Sequence, residues 1–333
     1  MNIAINGLGR IGRKVVKNIF DTSSLELIAI NDIMPIDKAA YFLKYDSTYG
    51  LSNLDISYQD HFLIISGRKI VYTTYANILD LPWEKLLIDV AINCSGTNKT
   101  KPKLNEYLAL GVKKVILSSP PDAEDIPIVI RGYNDDLYAS SPIISNASCT
   151  TYCVAPILDI FQRNFGIAYA NFTTVHCYTA DQNLQDAFHT DLRRSRAAGV
   201  NIIPTTTSAT NVIRRIFPAL KDKVSGSSFR VPVINGSITE FIIEIDKESS
   251  NETILDRLFK ESQAKYKGII DLTHDMIVST DVINSPLAAL IDQSSIELLG
   301  NKVKLTAFYD NEAGYSHQLV QDTYTLTHRG SRQ

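Results

Sequence analysis

The chain has 333 residues, of which 44% are hydrophobic and 21% are charged, and its formal net charge is −3 at pH 7. This length exceeds one ordinary hydrophobic core, so the composition indicates two globular domains and excludes a largely disordered protein. The near balance of 33 basic and 36 acidic residues gives no overall reason to bind nucleic acid or an anionic membrane.

Neither a membrane span nor a secretion signal is indicated. No apolar run approaches the about 18 residues that span a bilayer, and the basic stretch RKVVKNIF follows a glycine-rich start instead of preceding an apolar signal core. We therefore expect a cytoplasmic protein without a membrane partner. In such a chain, Cys94, Cys149, Cys153 and Cys177 are expected to be reduced thiols and not a disulfide framework.

The N-terminal segment MNIAINGLGRIGRKVVKNIF predicts a strand, a glycine turn and a helix. Gly7, Gly9 and Gly12 have G-x-G-x-x-G spacing between a β-type segment and apolar residues at helical spacing. The first glycine allows a tight turn, the second lets the backbone approach a pyrophosphate, and the third lets the helix pack closely on the strand. The helix N-terminus adds partial positive charge for the phosphates. The segment therefore predicts a dinucleotide site.

The second predicted strand, LELIAIND, ends at Asp32, about twenty residues after the glycine motif. A carboxylate here accepts hydrogen bonds from an adenosine ribose and repels a 2′-phosphate, which favours NAD over NADP. The alternative is that Asp32 only caps the next segment. IDVAINCSG and VKKVILSSP predict further strands, with a helix over KPKLNEYLALG between them. Strands that alternate with helices predict an α/β fold with a parallel, doubly wound sheet of the Rossmann type.

The segment SNASCTTYCVAP contains a candidate nucleophile. Ser148 is predicted to cap a helix that contains Cys149 in its first turn, so the helix dipole favours a thiolate. His176 lies in a predicted strand, ANFTTVHCYT, and can act as general base. A zinc site is disfavoured because His176 and Cys177, as neighbours in a strand, point to opposite faces. On the pattern alone, a buried core cysteine and a satisfied core histidine stay an open alternative.

Six segments in order resemble the phosphorylating glyceraldehyde-3-phosphate dehydrogenase family over essentially the whole chain. They are INGLGRIGR, LKYDSTYG, SNASCTT, HTDLRRSRAAGVNIIPTTT, FRVPVINGS and YDNEAGYS. We accordingly expect an NAD-binding domain over residues 1–148, an α+β catalytic domain with a mostly antiparallel sheet over 149–311, and a C-terminal helix over 312–333 that returns to the first domain. The resemblance implies the glycolytic oxidation of glyceraldehyde-3-phosphate by NAD to 1,3-bisphosphoglycerate, through a cysteine thioester.

The resemblance also implies residue roles, with Cys149 as nucleophile and His176 as base. The implied NAD contacts are Gly7, Gly9, Arg10, Ile11, Gly12, Asp32, Ser118, Asn311 and Tyr315. The implied substrate-phosphate contacts are Thr179, Asp181 and Arg230, and the implied inorganic-phosphate contacts are Ser148, Thr150, Arg193 and Thr207. Arginine suits both anions because its planar fork bonds two phosphate oxygens at once. No metal is implied.

The resemblance also bears on partners and substrate. The segment from about 181 to 203 resembles a loop that packs against a neighbouring subunit, which implies a homotetramer. Tyr152, Ala313 and Ala76 stand where the family often has asparagine, tryptophan and arginine, and these changes concern cofactor packing. The segment QDAFH resembles the erythrose-4-phosphate dehydrogenases. One alternative is therefore a dehydrogenase that oxidises erythrose-4-phosphate or another sugar-phosphate aldehyde. A weakly catalytic NAD-binding paralogue with a binding role is the other.

Overall fold

The structure, a computed structural model, describes residues 1–22 and 25–329. The chain divides into two compact units. Unit 1 consists of Met1–Ala147 and the segment from Ser316 onward, and unit 2 of Ser148–Tyr315. Residues 330–333, the end of the expected C-terminal helical segment, lie outside the described residues. Within the described ranges, no helix is both long enough and apolar enough to cross a membrane.

Unit 1 is built on an eight-stranded sheet. Its elements are β1 (Asn2–Asn6), α1 (Arg10–Phe20), β2 (Glu26–Asn31), α2 (Ile36–Lys44), β3 (Tyr45–Asp46), β4 (Gly50–Leu51), β5 (Ile56–Gln59), β6 (Phe62–Ile65), β7 (Arg68–Thr73), β8 (Val90–Asn93), α3 (Lys101–Ala109), β9 (Lys114–Leu117) and β10 (Ile143–Ser145). The strand order is β10-β9-β8-β1-β2-β7-β6-β5, parallel from β10 to β7 and antiparallel from β7 to β5. The predicted parallel, doubly wound sheet is confirmed, and β5 and β6 extend it.

The centre of this sheet is buried on both faces. Ile3, Ala4 and Ile5 follow one another in β1 and are all fully buried. Consecutive strand residues point to opposite faces, so such a run requires cover on both sides, which helices supply in parallel sheets. The strand order reverses at β1, and Gly7 directly follows this strand. Ligands of open α/β sheets bind at such a reversal, so the fold places the glycine motif where a dinucleotide is expected.

Unit 2 contains a seven-stranded sheet. Its elements are α4 (Cys149–Asn164), β11 (Ile167–Cys177), β12 (Ile203–Thr205), α5 (Ala209–Ile216), β13 (Val224–Val231), β14 (Ser237–Ile245), α6 (Asn251–Gln263), β15 (Ile270–Thr273), β16 (Ala289–Leu299), β17 (Lys302–Tyr309) and the start of α7 (Ala313–Arg329). The strand order is β12-β13-β11-β14-β17-β16-β15, in which only the β13·β11 and β16·β15 pairs are parallel. The prediction of a mostly antiparallel sheet is confirmed.

Helix α7 ends unit 2 and continues into unit 1, where buried polar contacts hold it. Asp322 is fully buried and accepts hydrogen bonds from the Tyr138 hydroxyl and the Asn146 side-chain amide. Two nitrogens of Arg131 donate to the side-chain oxygen of Gln318. A buried carboxylate is costly unless it is hydrogen-bonded, so these partners fix the position of the helix on unit 1.

Candidate active site

Three neighbouring strands of unit 2 place the candidate base and a candidate anion contact side by side. In the parallel pair of β11 and β13, His176 lies opposite Arg230. In the antiparallel pair of β12 and β13, Ile203 lies opposite Arg230 and Thr205 lies opposite Ser228. Because side chains alternate along a strand, Thr205, Arg230 and His176 project from the same face of the sheet. We call this the His176 face.

The candidate nucleophile lies at the start of α4. Ser148 is the N-cap residue, and its hydroxyl accepts a hydrogen bond from the Thr151 backbone N–H at 3.3 Å. Cys149 is the first residue of the helix, and its Sγ lies 3.5 Å from His176 Nε2. This distance is within hydrogen-bonding reach for sulfur, so the imidazole can take the thiol proton directly.

Burial determines the resting protonation of this pair. It raises the pKa of the Cys149 thiol, although Arg230 and hydrogen bonds at the helix start act in the opposite direction. Burial also lowers the pKa of His176 to about 3, and the positive charge of Arg230 adds to this shift. The resting pair is therefore a neutral thiol beside a neutral imidazole. The thiol proton therefore has to reach His176 Nε2 when Cys149 attacks.

Arg230 is a partly buried cation that has no carboxylate partner among the described residues. Its Nη1 lies 2.9 Å from the Cys177 carbonyl oxygen and 2.5 Å from His176 Nδ1, and its buried Nε has no hydrogen-bond partner in the described part of the chain. No ion pair joins it to an aspartate or glutamate among the residues the structure describes. A partly buried guanidinium of this kind has donors that can bind an external anion.

Two adjacent arginines of the loop before β12 differ in exposure. Arg193, the residue selected from the sequence, has an exposed side chain, and its backbone N–H donates to Asp191 Oδ1 at 2.9 Å. Arg194 is partly buried, with Nε 3.0 Å from Thr205 Oγ1 and Nη1 2.7 Å from Asp181 Oδ2. The structure thus directs Arg194 toward the His176 face. Sequence reasoning missed it because adjacent arginines carry no signal of which one points inward.

The remaining anion candidates are hydroxyl residues around these groups. Thr150 is buried, and its Oγ1 lies 3.2 Å from the Tyr309 hydroxyl. Thr207 Oγ1 accepts a hydrogen bond from the Ala209 N–H at 3.2 Å, at the start of α5. Thr179 is partly buried and lies two residues beyond the end of β11. A hydroxyl has one donor and two acceptor sites, so Thr150 and Thr207 keep capacity for a further partner.

The glycine motif of unit 1 fits a dinucleotide for steric reasons. Gly7 has φ +98°, and a Cβ on it would lie 2.4 Å from the Ser95 backbone. A Cβ on Gly12 would lie 2.0 Å from the Gly7 carbonyl oxygen. Gly9 differs, because a Cβ there would meet nothing within 4 Å in the described chain. A glycine with open space before it, directly preceding α1, leaves room for the close approach of a pyrophosphate.

Asp32 lies beside this turn. Its Oδ2 accepts a hydrogen bond from the Leu8 N–H at 2.5 Å, and its Oδ1 accepts one from the Met34 N–H at 2.9 Å. The second contact is a local turn bond, as the capping interpretation predicts, whereas the first ties the carboxylate to the glycine motif. Each carboxylate oxygen can accept about two hydrogen bonds, so both retain capacity for ribose hydroxyls.

The other cofactor candidates of unit 1 have internal partners. Arg10 Nη1 forms an ion pair with Asp46 Oδ2 at 2.6 Å. Ile11 is partly buried in the first turn of α1. The Ser118 hydroxyl donates to the Asn93 carbonyl oxygen at 2.9 Å. These contacts fix the side chains of Arg10 and Ser118 beside the sheet without assigning them to a ligand.

The two cofactor candidates of unit 2 are both buried. Cys177 Sγ donates to Asn311 Oδ1 at 3.1 Å, which holds the amide. The ring of Tyr315 meets the fully buried ring of Tyr152 edge to face, with 6.0 Å between centroids. Ala313 is also buried. Tyr152 therefore supplies an aromatic ring in the region of the α7 start, where the resemblance leads us to expect a tryptophan.

Among the side chains that the structure describes, in residues 1–22 and 25–326, no group of three or more histidine, cysteine or acidic residues is arranged to hold a metal ion. Cys94, Cys149, Cys153 and Cys177 are all free thiols. The chemistry available on the His176 face is therefore that of a thiol, an imidazole and two guanidinium groups.

Comparison with known proteins identifies similar sequences along both units. Residues 1–101 match a family model described as "Glyceraldehyde 3-phosphate dehydrogenase, NAD binding domain", and residues 148–311 match "Glyceraldehyde 3-phosphate dehydrogenase, C-terminal domain". A glyceraldehyde-3-phosphate dehydrogenase 2 of Streptomyces avermitilis is 38% identical over 327 residues, 97% of either chain. Its counterpart in Streptomyces coelicolor is 39% identical over 330 residues, again 97% of either chain. A glyceraldehyde-3-phosphate dehydrogenase of Geobacillus stearothermophilus is 36% identical over 333 residues, 99% of either chain.

Proposed function

The chain belongs to the glyceraldehyde-3-phosphate dehydrogenase family, and we propose that it converts glyceraldehyde-3-phosphate, NAD and inorganic phosphate to 1,3-bisphosphoglycerate and NADH. As a member, it is an NAD-dependent oxidoreductase. The observation that carries the proposal is the 3.5 Å contact of Cys149 Sγ with His176 Nε2, beside a guanidinium that has no carboxylate partner among the described residues.

The first step is the addition of Cys149 to the aldehyde. As Sγ bonds to the carbonyl carbon, the thiol proton passes to His176 Nε2 and returns to the developing alkoxide, which gives a neutral hemithioacetal. The backbone N–H of Cys149 belongs to the orphan donors at the start of α4, and we propose that it stabilises the oxyanion. Proton transfer by positioned imidazole typically contributes about 10²–10⁴ to the rate.

In the second step the hemithioacetal becomes a thioester. Bound NAD supplies the acceptor for the hydride that leaves the carbon. His176 Nε2 removes the hydroxyl proton, so that the carbonyl reforms while Cys149 stays attached. An oxygen of inorganic phosphate then attacks the thioester carbon, the Cys149 thiolate leaves, and an acyl phosphate is released. Electrons and atoms balance with one hydride transferred and one proton released overall.

We propose that Arg230 and Thr179 hold the substrate phosphate, and that Arg194, with Ser148, Thr150 and Thr207, serves the attacking phosphate. We assign Arg194 to the place first given to Arg193 because the Arg194 guanidinium donates to Thr205 on the His176 face, whereas the Arg193 side chain is exposed. Asp181 is ion-paired with Arg194 at 2.7 Å, so it acts through that arginine and does not itself contact an anion. Bidentate guanidinium contacts suit both phosphates.

Binding of the substrate phosphate also affects the base. His176 Nδ1 lies 2.8 Å from the Cys177 carbonyl oxygen, which accepts only, so this contact needs a proton on Nδ1 and leaves Nε2 free. Arg230 donates only, and its approach to Nδ1 favours the opposite tautomer. Movement of Arg230 onto a phosphate removes this conflict and favours the tautomer that accepts the Cys149 proton.

We further propose a cytoplasmic homotetramer. The loop that spans residues 181–202 exposes several large apolar side chains, among them Leu184 (75% exposed), Phe188 (92%) and Leu192 (83%). Several large exposed apolar side chains within one loop support a protein–protein interface at this loop. Light scattering after size-exclusion chromatography should give four times the chain mass of 37.0 kDa, and a monomer at micromolar concentration would refute the assembly.

The test of the proposed function is NADH formation with glyceraldehyde-3-phosphate, NAD and phosphate, each omitted in turn. All three should be required for multiple turnovers, and omission of phosphate should leave one NADH per active site, because the thioester accumulates. Erythrose-4-phosphate in a parallel series decides the substrate. A higher kcat/KM for erythrose-4-phosphate would replace the aldehyde assigned here, and no turnover with either would favour a binding paralogue.

A further inference from the structure

We propose that the Asp181 carboxylate competes with inorganic phosphate for the Arg194 guanidinium, and thereby sets the affinity of the enzyme for its second anionic substrate. This inference rests on the proposed function, in which Arg194 binds inorganic phosphate. It assigns Asp181 as a residue that tunes the second anion site.

The first observation is that Arg194 is held in place by two different kinds of partner. Thr205 Oγ1 accepts a hydrogen bond from Nε at 3.0 Å, and Thr205 belongs to β12, on the His176 face. Asp181 Oδ2 forms an ion pair with Arg194 Nη1 at 2.7 Å. Arg194 and Arg230 are close enough to affect each other electrostatically. The strand contact therefore positions the guanidinium near Arg230, while the loop carboxylate occupies one of its outer nitrogens.

The second observation is the contrast between the two arginines. Arg230 has no carboxylate partner in the described chain, whereas Arg194 has Asp181 at 2.7 Å and Asp191 Oδ2 at 3.6 Å. A carboxylate offers the same two-oxygen edge to a guanidinium that a phosphate offers. The ion pair with Asp181 thus occupies Nη1, one of the nitrogens that a phosphate would otherwise use.

The third observation is that Asp181 is the more exposed partner. Its side chain is 53% exposed and that of Arg194 is 21% exposed, so the carboxylate can turn into water while the guanidinium stays on Thr205. His189 Nε2 lies 3.5 Å from Asp181 Oδ1 and gives the displaced carboxylate another neighbour. Ion pairs this exposed are weak, so a phosphate with greater negative charge can displace the aspartate.

The inference has a direct kinetic consequence. A phosphate that binds Arg194 has to break the ion pair between Arg194 and Asp181. The bound phosphate is then repelled by the nearby Asp181 carboxylate, and both effects weaken phosphate binding. Replacement of the carboxylate by a neutral amide removes both. Asp181→Asn should lower the KM for phosphate about three- to fivefold, with kcat within twofold and the KM for the aldehyde unchanged. The gain should shrink as salt screens the charges.

The control variants are chosen from the same loop and the same position. Asp186 pairs with Arg196 at 2.8 Å and accepts the Ala197 N–H at 2.9 Å, in an exposed part of the loop. Asp186→Asn should leave the phosphate KM unchanged. Asp181→Glu keeps the charge and should stay within twofold of the unchanged enzyme, which separates loss of charge from disturbance of the loop.

A binding measurement makes the test independent of turnover. Inorganic phosphate should raise the thermal unfolding temperature of Asp181→Asn at lower concentration than it does for the unchanged protein or Asp186→Asn. An unchanged phosphate dependence in Asp181→Asn, or an equal gain in Asp181→Glu, would overturn the competition. A selective change in the aldehyde KM would show instead that Asp181 acts on the substrate phosphate. Absence of phosphate-dependent oxidation in the unchanged protein would refute the proposed function, and the thermal shift would still decide the role of Asp181.

Discussion

The glycine turn of unit 1 and the His176 face of unit 2 are built in opposite ways. The glycine turn uses three residues that are close in sequence, Gly7, Gly9 and Gly12. Steric contacts restrict the first and the third to glycine, because a Cβ on either would overlap the backbone. The His176 face collects Cys149, His176 and Arg230 from α4, β11 and β13. Its constraint is electrostatic, because burial holds a thiol and an imidazole neutral beside a cation.

This difference determines what substitutions should reveal. Changes around the glycine turn should affect the cofactor while the thiol chemistry persists. Changes on the His176 face should remove chemistry or substrate binding while NAD binding persists. The predictions below test whether the two regions separate in this way.

The largest effect is expected for Cys149→Ser. The alcohol is a much weaker nucleophile than the thiol and cannot form the thioester, so turnover should fall by about a thousandfold or more. NAD affinity, measured by calorimetry, should stay within about twofold. Cys153→Ser is the matched control, because Cys153 lies one turn deeper in α4, is fully buried, and has no place in the proton path. Turnover by Cys149→Ser at the unchanged rate would refute thiol catalysis.

His176→Asn should slow both thiol addition and oxidation by about a hundredfold or more, since it removes the base 3.5 Å from Sγ. The loss should be similar for glyceraldehyde-3-phosphate and for unphosphorylated glyceraldehyde, because the base acts on the carbonyl end of either. Presteady-state NADH formation measures the oxidation step. A loss confined to the phosphorylated aldehyde would assign His176 to anion binding instead.

Arg230→Ala should raise the KM for glyceraldehyde-3-phosphate about ten- to a hundredfold, the usual range for a lost hydrogen bond to a charged group. Some loss of kcat is expected as well, because anchoring orients the carbonyl. Unphosphorylated glyceraldehyde should be affected little. Steady-state kinetics with both aldehydes measure this difference. An equal loss of kcat/KM for the two aldehydes would show that Arg230 supports the structure of the site and does not bind the substrate phosphate.

Asp32→Gly tests the other region. Loss of the ribose contacts should lower kcat/KM for NAD about tenfold, and removal of the negative charge should improve the ratio of NADP to NAD. The rate of Cys149 alkylation by iodoacetamide, which reports on the thiol alone, should not change. No shift in cofactor preference would mean that the carboxylate serves only its contacts with Leu8 and Met34.

The smallest effect concerns stability in acid. The pKa of His176 is lowered to about 3 in the folded chain, against about 6.5 for a free histidine. Between these values the unfolded chain binds a proton that the folded chain does not, so stability falls as the pH falls from 6.5 toward 3. His176 contributes up to about 1.4 kcal/mol per pH unit to this slope, so the slope should be smaller by about that amount in His176→Asn. Urea unfolding at several pH values measures it, and equal slopes would contradict a buried, neutral imidazole.

Much of this protein follows from local sequence. Glycine spacing, strand and helix periodicity, and the helix start at Ser148 each depend on residues within about one element, and local sterics suffice to specify them. The parallel sheet of unit 1 and the start of α4 at Cys149 were accordingly predictable, whereas the mostly antiparallel sheet of unit 2 was expected from the family resemblance. The antiparallel extension by β5 and β6 was not, because an edge strand has no pattern that fixes its partner.

The tertiary structure alone decided the electrostatics of the His176 face. The sequence favoured a thiolate from the helix dipole, but the pKa of Cys149 depends on how much surrounding chain excludes water. Likewise, only strand pairing places Thr205 on the same sheet face as Arg230, where Thr205 accepts a hydrogen bond from Arg194. Desolvation and strand register both depend on residues that are distant in sequence, so no local motif specifies either of them.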